Sequence, residues 1–214
     1  MNKNKLYWII GIVVLIVFRK DILALAKGVL NQDKLALRFL LWLAIASVPI
    51  ALAGFFLNST VKSAFSNLRI VGFSLLITSL MLFLSKYPKK KAKRLSAKST
   101  FVIGLAQAIA ILPGVSRSGA TISAGLMQGV KREEAARFSF LLFIPAILGA
   151  AVYELKNISQ VSGITALLLG TLASVITGLF SLRLLLRIIK KGKLSYFGWY
   201  CLALGIVVIV VAYV

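Results

Sequence analysis

Long apolar runs separated by short basic loops make up most of the chain. Several runs approach the roughly 20 apolar residues that a helix needs to cross the hydrocarbon core of a bilayer. The sequence therefore predicts an all-α, polytopic integral membrane protein with about six transmembrane helices, forming one transmembrane domain over residues 1–214. The apolar segments are Leu6–Phe18 (with an extension to Leu30 left open), Leu35–Leu57, Leu68–Ser85, Phe101–Leu112, Ala120–Val130, Ala135–Leu155, Val161–Leu186 and Tyr196–Val214.

Two neighbouring segments are too short to cross a bilayer. A helix over Phe101–Leu112 would be about 18 Å long, against a hydrocarbon core of about 30 Å, and Ala120–Val130 is shorter still. Pro113 would break a continuous helix, and Gly114 can adopt the left-handed backbone that closes a turn. These features favour a re-entrant helical hairpin that enters and leaves by the same face. The alternative is one kinked spanning helix of about 30 residues.

Basic residues supply a test of the hairpin, because short cytoplasmic loops of membrane proteins are enriched in Lys and Arg. With a re-entrant hairpin, about 20 of the 26 Lys and Arg residues fall on the cytoplasmic face, and the hairpin tip opens to the extracytoplasmic face. The net charge of +21 is thereby explained by topology and attraction to anionic lipid, and nucleic-acid binding is not expected. The densest basic loop contains Lys86, Lys89, Lys90, Lys91, Lys93, Arg94 and Lys98.

Residues 113–121 form a polar turn within this apolar sequence. Arg117 would be a permanent cation at membrane depth, which is unfavourable without an anionic partner or a wet cavity. Its planar donors match phosphate oxygens, and the N–H groups of a helix starting near Ser118 favour an anion. The turn therefore predicts an anion-binding cradle, and the alternative is a kinked helix in which Ser, Gly and Thr pack and Arg117 binds a carbonyl. The cradle residues are Gly114, Ser116, Arg117, Ser118, Gly119 and Thr121.

The stretch from Gln107 to Thr121, with Phe138-Ser139-Phe140-Leu141-Leu142 and Pro145 after it, resembles the undecaprenyl-diphosphate phosphatase family, also called bacitracin-resistance proteins. The family signature P-G-x-S-R-S-x-x-T is matched in full, and the resemblance runs from near Leu15 to the C-terminus. It implies a helical plasma-membrane protein with re-entrant hairpins and an inverted repeat. It also implies hydrolysis of undecaprenyl diphosphate to the monophosphate, which recycles the lipid carrier of cell-wall synthesis.

The same resemblance implies roles for residues of the turn. Arg117 would hold the diphosphate, with Ser116, Ser118 and Thr121 beside it, and we take Arg117 and Ser116 as the catalytic candidates. A divalent cation, Mg²⁺ or Ca²⁺, is implied as a cofactor, although no ligand set for it is visible. The implied partners are a polyprenyl diphosphate substrate, membrane lipids and, as an open alternative, a second copy of the chain.

One family feature has no counterpart here. Family members carry an earlier segment of the type E-G-x-T-E-F-x-P-x-S-S-T-G-H, which supplies glutamates, a serine and a histidine, whereas this chain has no histidine. We therefore expect a truncated or split form. Glu133 and Glu134 should lie some 15–18 Å from the hairpin tip, as favourable charges at a helix start. The full set of carboxylates is Asp21, Asp33, Glu133, Glu134 and Glu154.

No general base for hydrolysis can be assigned from these residues. Glu154 could approach the mouth of a cavity, but nothing else in the sequence supports that role. Without histidine and with Cys201 as the single cysteine, a Cys/His metal site and an internal disulfide are excluded, and we predict no metal site. Two other functions stay open, namely a non-hydrolytic polyprenyl-phosphate binder or flippase, and a small anion transporter built around a broken helix.

Overall fold

The computed structural model describes residues 19–87, 94–146 and 164–213. The expected segment Leu6–Phe18 and the parts of later segments within residues 147–163 lie outside the described residues. In the described ranges the regular elements are α-helices, as predicted. They are α1 (Arg19–Leu30), α2 (Lys34–Phe56), α3 (Asn58–Ala64), α4 (Leu68–Leu84), α5 (Ala97–Ile109), α6 (Arg117–Met127), α7 (Arg132–Leu141), α8 (Ile164–Lys190) and α9 (Tyr196–Tyr213).

Three helices in the described part of the chain are long and apolar enough to cross a membrane: Lys34–Phe56, Leu172–Lys190 and Tyr196–Tyr213. Their side chains are mostly exposed, as expected for surfaces that face lipid rather than a protein core. The all-helical class is therefore confirmed for the described residues. The count of about six spans stays a prediction.

Two helices lie in the connections between the longer predicted segments. α1 covers the stretch to Leu30 over which an extension of the first segment was left open, and α3 lies between the predicted segments Leu35–Leu57 and Leu68–Ser85, where no helix was predicted. α1 is amphipathic, with Ile22 and Leu25 half-buried and Lys20 and Lys27 exposed. Asp33 then starts the next helix, because its Oδ1 accepts a hydrogen bond from the N–H of Leu35 at 3.0 Å.

The structure divides into two compact units, and the candidate site lies in the unit formed by Leu41–Ser139 and Ile188–Val214. α4 is central to this unit, with α9 packed along one of its sides. A Cβ on Gly205 would lie 3.2 Å from the carbonyl oxygen of Gly72, so the two helices approach closely through small residues. The Ser79 hydroxyl donates to the carbonyl of Gly198 at 2.8 Å and ties α4 to the start of α9.

α5 and α6 fold back on each other as a helical hairpin. Ile103 of α5 reaches Gly125 of α6, where an added Cβ would lie 3.4 Å from Ile103 Cδ1. These residues are 22 positions apart, so a straight helix would separate them by about 33 Å. On its other side α5 approaches the backbone of α2, since a Cβ on Gly104 would lie 2.7 Å from the carbonyl oxygen of Ala46. These residues therefore form two helices that fold back on each other, and the re-entrant placement of the hairpin in a membrane stays a prediction.

The second unit comprises Met1–Leu40 and Phe140–Arg187. In it α1 packs against the start of α2, where a Cβ on Gly28 would lie 2.6 Å from that of Ala36. α7 ends at Leu141, four residues before Pro145, which has no N–H to donate to the Leu141 carbonyl. Pro49, by contrast, lies inside the continuous helix α2. The expectation of a single domain stays a prediction.

Candidate functional site

The turn between α5 and α6 depends on Gly114. Its φ is +95°, the left-handed conformation expected from the sequence. A Cβ at this position would stand 2.6 Å from the carbonyl oxygen of Val71 and 3.0 Å from Cβ of Ser74, both on α4. Backbone conformation and the close approach of α4 therefore both require glycine here.

A buried threonine of α4 holds both sides of this turn. Thr78 is 1% exposed, and its Oγ1 accepts a hydrogen bond from the N–H of Ser116 at 3.0 Å. The same Oγ1 lies 3.1 Å from the carbonyl oxygens of Gly114 and Ser74, to one of which it donates its proton. Sequence reasoning missed Thr78. The available signal was a pair of hydroxyl residues, Ser74 and Thr78, one helical turn apart in an apolar segment.

Ser116 is the N-cap of α6. Its Oγ accepts a hydrogen bond from the N–H of Gly119 at 3.2 Å, which satisfies one of the unpaired donors of the first turn. A Cβ on Gly119 would lie 2.9 Å from that Oγ, so the lack of a side chain at Gly119 lets the Ser116 Oγ approach its backbone. The helix starts at Arg117, one residue before the expected Ser118. Among the described residues the Ser116 hydroxyl donates no hydrogen bond, so its proton is available.

The other turn residues differ in how deeply they are buried. Arg117 and Ser118, like Gly114 and Ser116, are half-buried and form the partly open end of α6. Thr121 is fully buried, and its hydroxyl donates to the carbonyl of Arg117 at 2.9 Å. Since that proton is used within the helix, Thr121 supports the turn from below.

Gln107 lies on the seam of the hairpin. It is fully buried, and neither its Nε2 nor its Oε1 has a hydrogen-bond partner. Gln107 is one turn beyond Ile103 on the same face of α5, and Thr121 is one turn before Gly125 on α6. Because Ile103 meets Gly125, the buried carboxamide lies at the level of Thr121, next to the turn. The motif stretch begins at Gln107, but the sequence assigned this residue no role.

The described carboxylates near the α7 start are engaged elsewhere. Glu133 and Glu134 lie in the first turn of α7, as predicted. Glu133 Oε1 is 3.1 Å from Nζ of Lys190, and Glu134 Oε1 accepts from the N–H of Leu95 at 3.2 Å. Glu154 lies outside the described residues. The structure therefore does not bring these two glutamates to the turn.

The donor set of the turn suits an anion. A guanidinium, two hydroxyls and the N–H groups at the start of α6 all favour negative charge. Divalent cations need several oxygen ligands, usually with carboxylates among them, and a guanidinium would repel them. In the described ranges no group of three or more His, Cys, Asp and Glu residues could hold a metal ion. The residues of the turn therefore do not fit Mg²⁺ or Ca²⁺ by themselves.

Comparison with known proteins decides the family. The model of the family described as "Bacitracin resistance protein BacA" matches residues 10–207. The chain belongs to this family. The chain is 43% identical to an "Undecaprenyl-diphosphatase" of Methanothermobacter thermautotrophicus in an alignment of 176 residues that covers 78% of this chain and 97% of that protein. It is 37% identical to one of Christiangramia forsetii (93% and 77%) and 39% identical to one of Korarchaeum cryptofilum (92% and 79%).

Membership of the BacA family confirms the resemblance carried by the P-G-x-S-R-S-x-x-T signature. The match extends well beyond that signature, since residues 10–207 include each of the helices α1 to α8 and most of α9. The relative from Methanothermobacter thermautotrophicus is covered over nearly its whole length. Almost every part of that relative, which carries the name "Undecaprenyl-diphosphatase", therefore aligns with a part of this chain.

Proposed function

We propose that this chain is a membrane phosphatase that hydrolyses undecaprenyl diphosphate to undecaprenyl phosphate and inorganic phosphate, and so recycles the lipid carrier of cell-wall synthesis. The observation that carries the proposal is the Arg117 turn, placed at the start of α6 on a backbone held by Thr78. The proposed substrate is taken from the names of the relatives in the BacA family.

The grip on the diphosphate combines three kinds of donor. Arg117 offers paired N–H groups that match two phosphate oxygens. The first-turn N–H of Ser118 has no acceptor within an α-helix, and the helix start carries a partial positive charge. The hydroxyls of Ser116 and Ser118 can donate to further oxygens. Charge that builds up on the phosphate during hydrolysis would be stabilised by the same donors.

We place the hairpin as re-entrant in the plasma membrane, among about six spans, with its tip open to the extracytoplasmic face. The basic residues support this layout. The contact of Leu95 with Glu134 brings the start of α5 close to the start of α7, so both ends of the hairpin lie beside Arg94, Lys98, Lys131 and Arg132. Enrichment of these residues favours a cytoplasmic position for that end.

A second candidate function is a non-hydrolytic binder of polyprenyl phosphates. It is favoured by one observation, namely that Glu133 and Glu134 are committed to Lys190 and Leu95 rather than to the turn. Hydrolysis needs a group that activates water, and residues 113–121 include no carboxylate or histidine to act as a general base. The two functions share the anion grip and differ in whether phosphate is released.

The test compares the parent chain with Arg117→Lys and Arg117→Ala, each purified in detergent. We expect the parent to release phosphate from undecaprenyl diphosphate, Arg117→Lys to be slower and Arg117→Ala to be at least about 100-fold slower, since removal of one preorganised donor costs that much. Assays with and without EDTA test the family expectation of a divalent cation. Diphosphate binding by the parent without phosphate release would establish the binder. Equal behaviour of all three chains would contradict a role for this turn.

A further inference from the structure

One end of the site-bearing unit is a basic face built from three segments. The start of α5 meets the start of α7 through the hydrogen bond from the N–H of Leu95 to Glu134. The start of α7 also meets the turn between α8 and α9, where Arg132 lies against Gly192. The exposed cations on these segments, here called the basic face, are Arg94, Lys98, Lys131, Arg132, Lys191 and Lys193.

On this face Arg132 packs against Gly192, a contact here called the seat of Arg132. Gly192 has a φ of +71°, and a Cβ there would lie 2.8 Å from Nη2 of Arg132 and 2.9 Å from its Cζ. Hydrogen bonds from the N–H groups of Gly192 and Lys193 back to carbonyls of α8, at 2.9 and 3.1 Å, fix the turn in that conformation. The guanidinium of Arg132 thus lies against the Gly192 backbone, at a turn whose positive φ favours glycine.

Among the described residues, the basic face carries more positive charge than nearby carboxylates neutralise. Its two nearby carboxylates are used: Glu133 pairs with Lys190 at 3.1 Å, and Glu134 accepts from the N–H of Leu95. The C-terminal end of α8 favours cations by about 0.3–1 kcal/mol at a surface site. That contribution applies to one or two basic residues near Gly192, and the cytoplasmic enrichment of Lys and Arg accounts for the presence of the others. Together, six cations on one face favour binding of an external anion.

Aromatic and aliphatic side chains continue from this face along α9. Tyr196, Trp199 and Tyr200 are each 64–65% exposed at the start of the helix. Exposed Tyr and Trp at one level are typical of the membrane–water interface. Further along α9, Ile206, Val207 and Val210 are more than half exposed and suit acyl chains. Cations beside an aromatic belt and an apolar helix match the two ends of a phospholipid.

We propose that the basic face binds the phosphate of an anionic phospholipid of the adjoining leaflet, of the phosphatidylglycerol or cardiolipin class. The guanidinium of Arg132 binds the phosphate oxygens, Lys191 and Lys193 flank it, and the acyl chains lie along α9. The site lies at the end of the hairpin remote from Arg117, so it is separate from the diphosphate grip.

Native mass spectrometry of the full chain tests this site. The detergent-purified protein is mixed with equal amounts of cardiolipin and phosphatidylcholine, and the retained lipids are counted. We expect at least fivefold preference for cardiolipin in the parent. The double variant Arg132→Gln/Lys193→Gln should weaken retention about 30-fold, since each surface cation contributes about fivefold to binding of an anionic lipid. The matched double variant Lys20→Gln/Lys27→Gln on α1 removes the same charge and should retain the preference.

The variant Arg132→Lys distinguishes a specific lipid site from general electrostatic attraction of anionic lipid. It keeps the charge but loses the planar fork, so we expect at least threefold weaker retention. Retention equal to that of the parent would contradict the seat on Gly192, as would equal losses in the two double variants. Inorganic phosphate at 100-fold excess over cardiolipin should not displace the lipid. Displacement would assign the face to free phosphate and overturn the lipid site.

Discussion

Thr78 Oγ1 accepts a hydrogen bond from the backbone N–H of Ser116 at 3.0 Å, across 38 positions of the chain. Through this bond a buried residue of α4 fixes the residue that caps α6. The conformation of the proposed anion grip is therefore set by two helices. Its donors come from the turn, and its backbone position comes from α4, which is itself anchored to α9 through Ser79 and Gly198.

Two replacements of Thr78 should distinguish the contribution of its hydroxyl from that of its methyl group. Thr78→Val leaves the N–H of Ser116, and the carbonyl of either Gly114 or Ser74, without a partner, so the turn shifts. We expect kcat/KM for phosphate release to fall about 10–100-fold, because small displacements of a positioned group have effects of that size. Thr78→Ser keeps the hydroxyl and should stay within about threefold of the parent, by the same reasoning. Equal activity of Thr78→Val and the parent, both folded, would contradict the positioning role.

Gly114 should not tolerate a side chain. Gly114→Ala combines a positive φ with a Cβ only 2.6 Å from the carbonyl oxygen of Val71. We expect a loss of at least about 1–3 kcal/mol in the free energy of unfolding. The matched control is Gly170→Ala in α8, where an added Cβ meets nothing within 4 Å. There alanine should leave stability unchanged or raise it by up to about 1 kcal/mol. Thermal unfolding in detergent measures both, and similar midpoints would contradict the geometry.

The capping role of Ser116 can be separated from a chemical one. Ser116→Ala removes the acceptor for the N–H of Gly119 and should lower stability by about 1 kcal/mol, whereas Ser116→Asn supplies another good cap. We expect Ser116→Asn to keep the parent's stability and to bind the diphosphate within about tenfold of the parent, a difference of about 1.4 kcal/mol. If Ser116→Asn is as stable as the parent but releases no phosphate, the hydroxyl itself takes part in the chemistry.

The sequence and the structure agree most closely where the information is local. Short apolar segments on either side of Pro113 and Gly114 predicted the helical hairpin and the left-handed glycine. Thr78 could not be predicted, because its role depends on which helix packs beside the turn, and one-dimensional apolar patterns do not specify helix neighbours. The same limit applies to the seat of Arg132 on Gly192. α1 was left open for a different reason, since Arg19, Lys20 and Asp21 interrupt the apolar run before it.

At Gln107 we expect one substitution to raise stability and to lower activity. Its buried carboxamide has no partner, which costs about 1–3 kcal/mol unless water or ligand supplies one. Gln107→Met keeps a similar volume without polar atoms, so we expect it to raise the free energy of unfolding by about 1–3 kcal/mol. Because the carboxamide lies at the level of Thr121, beside the turn, we also expect at least tenfold slower phosphate release, the usual trade-off at a functional position.

The control for Gln107 is Thr100→Val. Thr100 is buried on the same face of α5, two turns further from the Arg117 turn, and its Oγ1 also lacks a partner. Valine has nearly the same shape, so stability should rise while phosphate release stays at the parent's rate. If Gln107→Met is stabilised and fully active, its carboxamide is only a packing defect. Loss of activity confined to Gln107→Met would place the carboxamide in the hydration or orientation of the bound diphosphate.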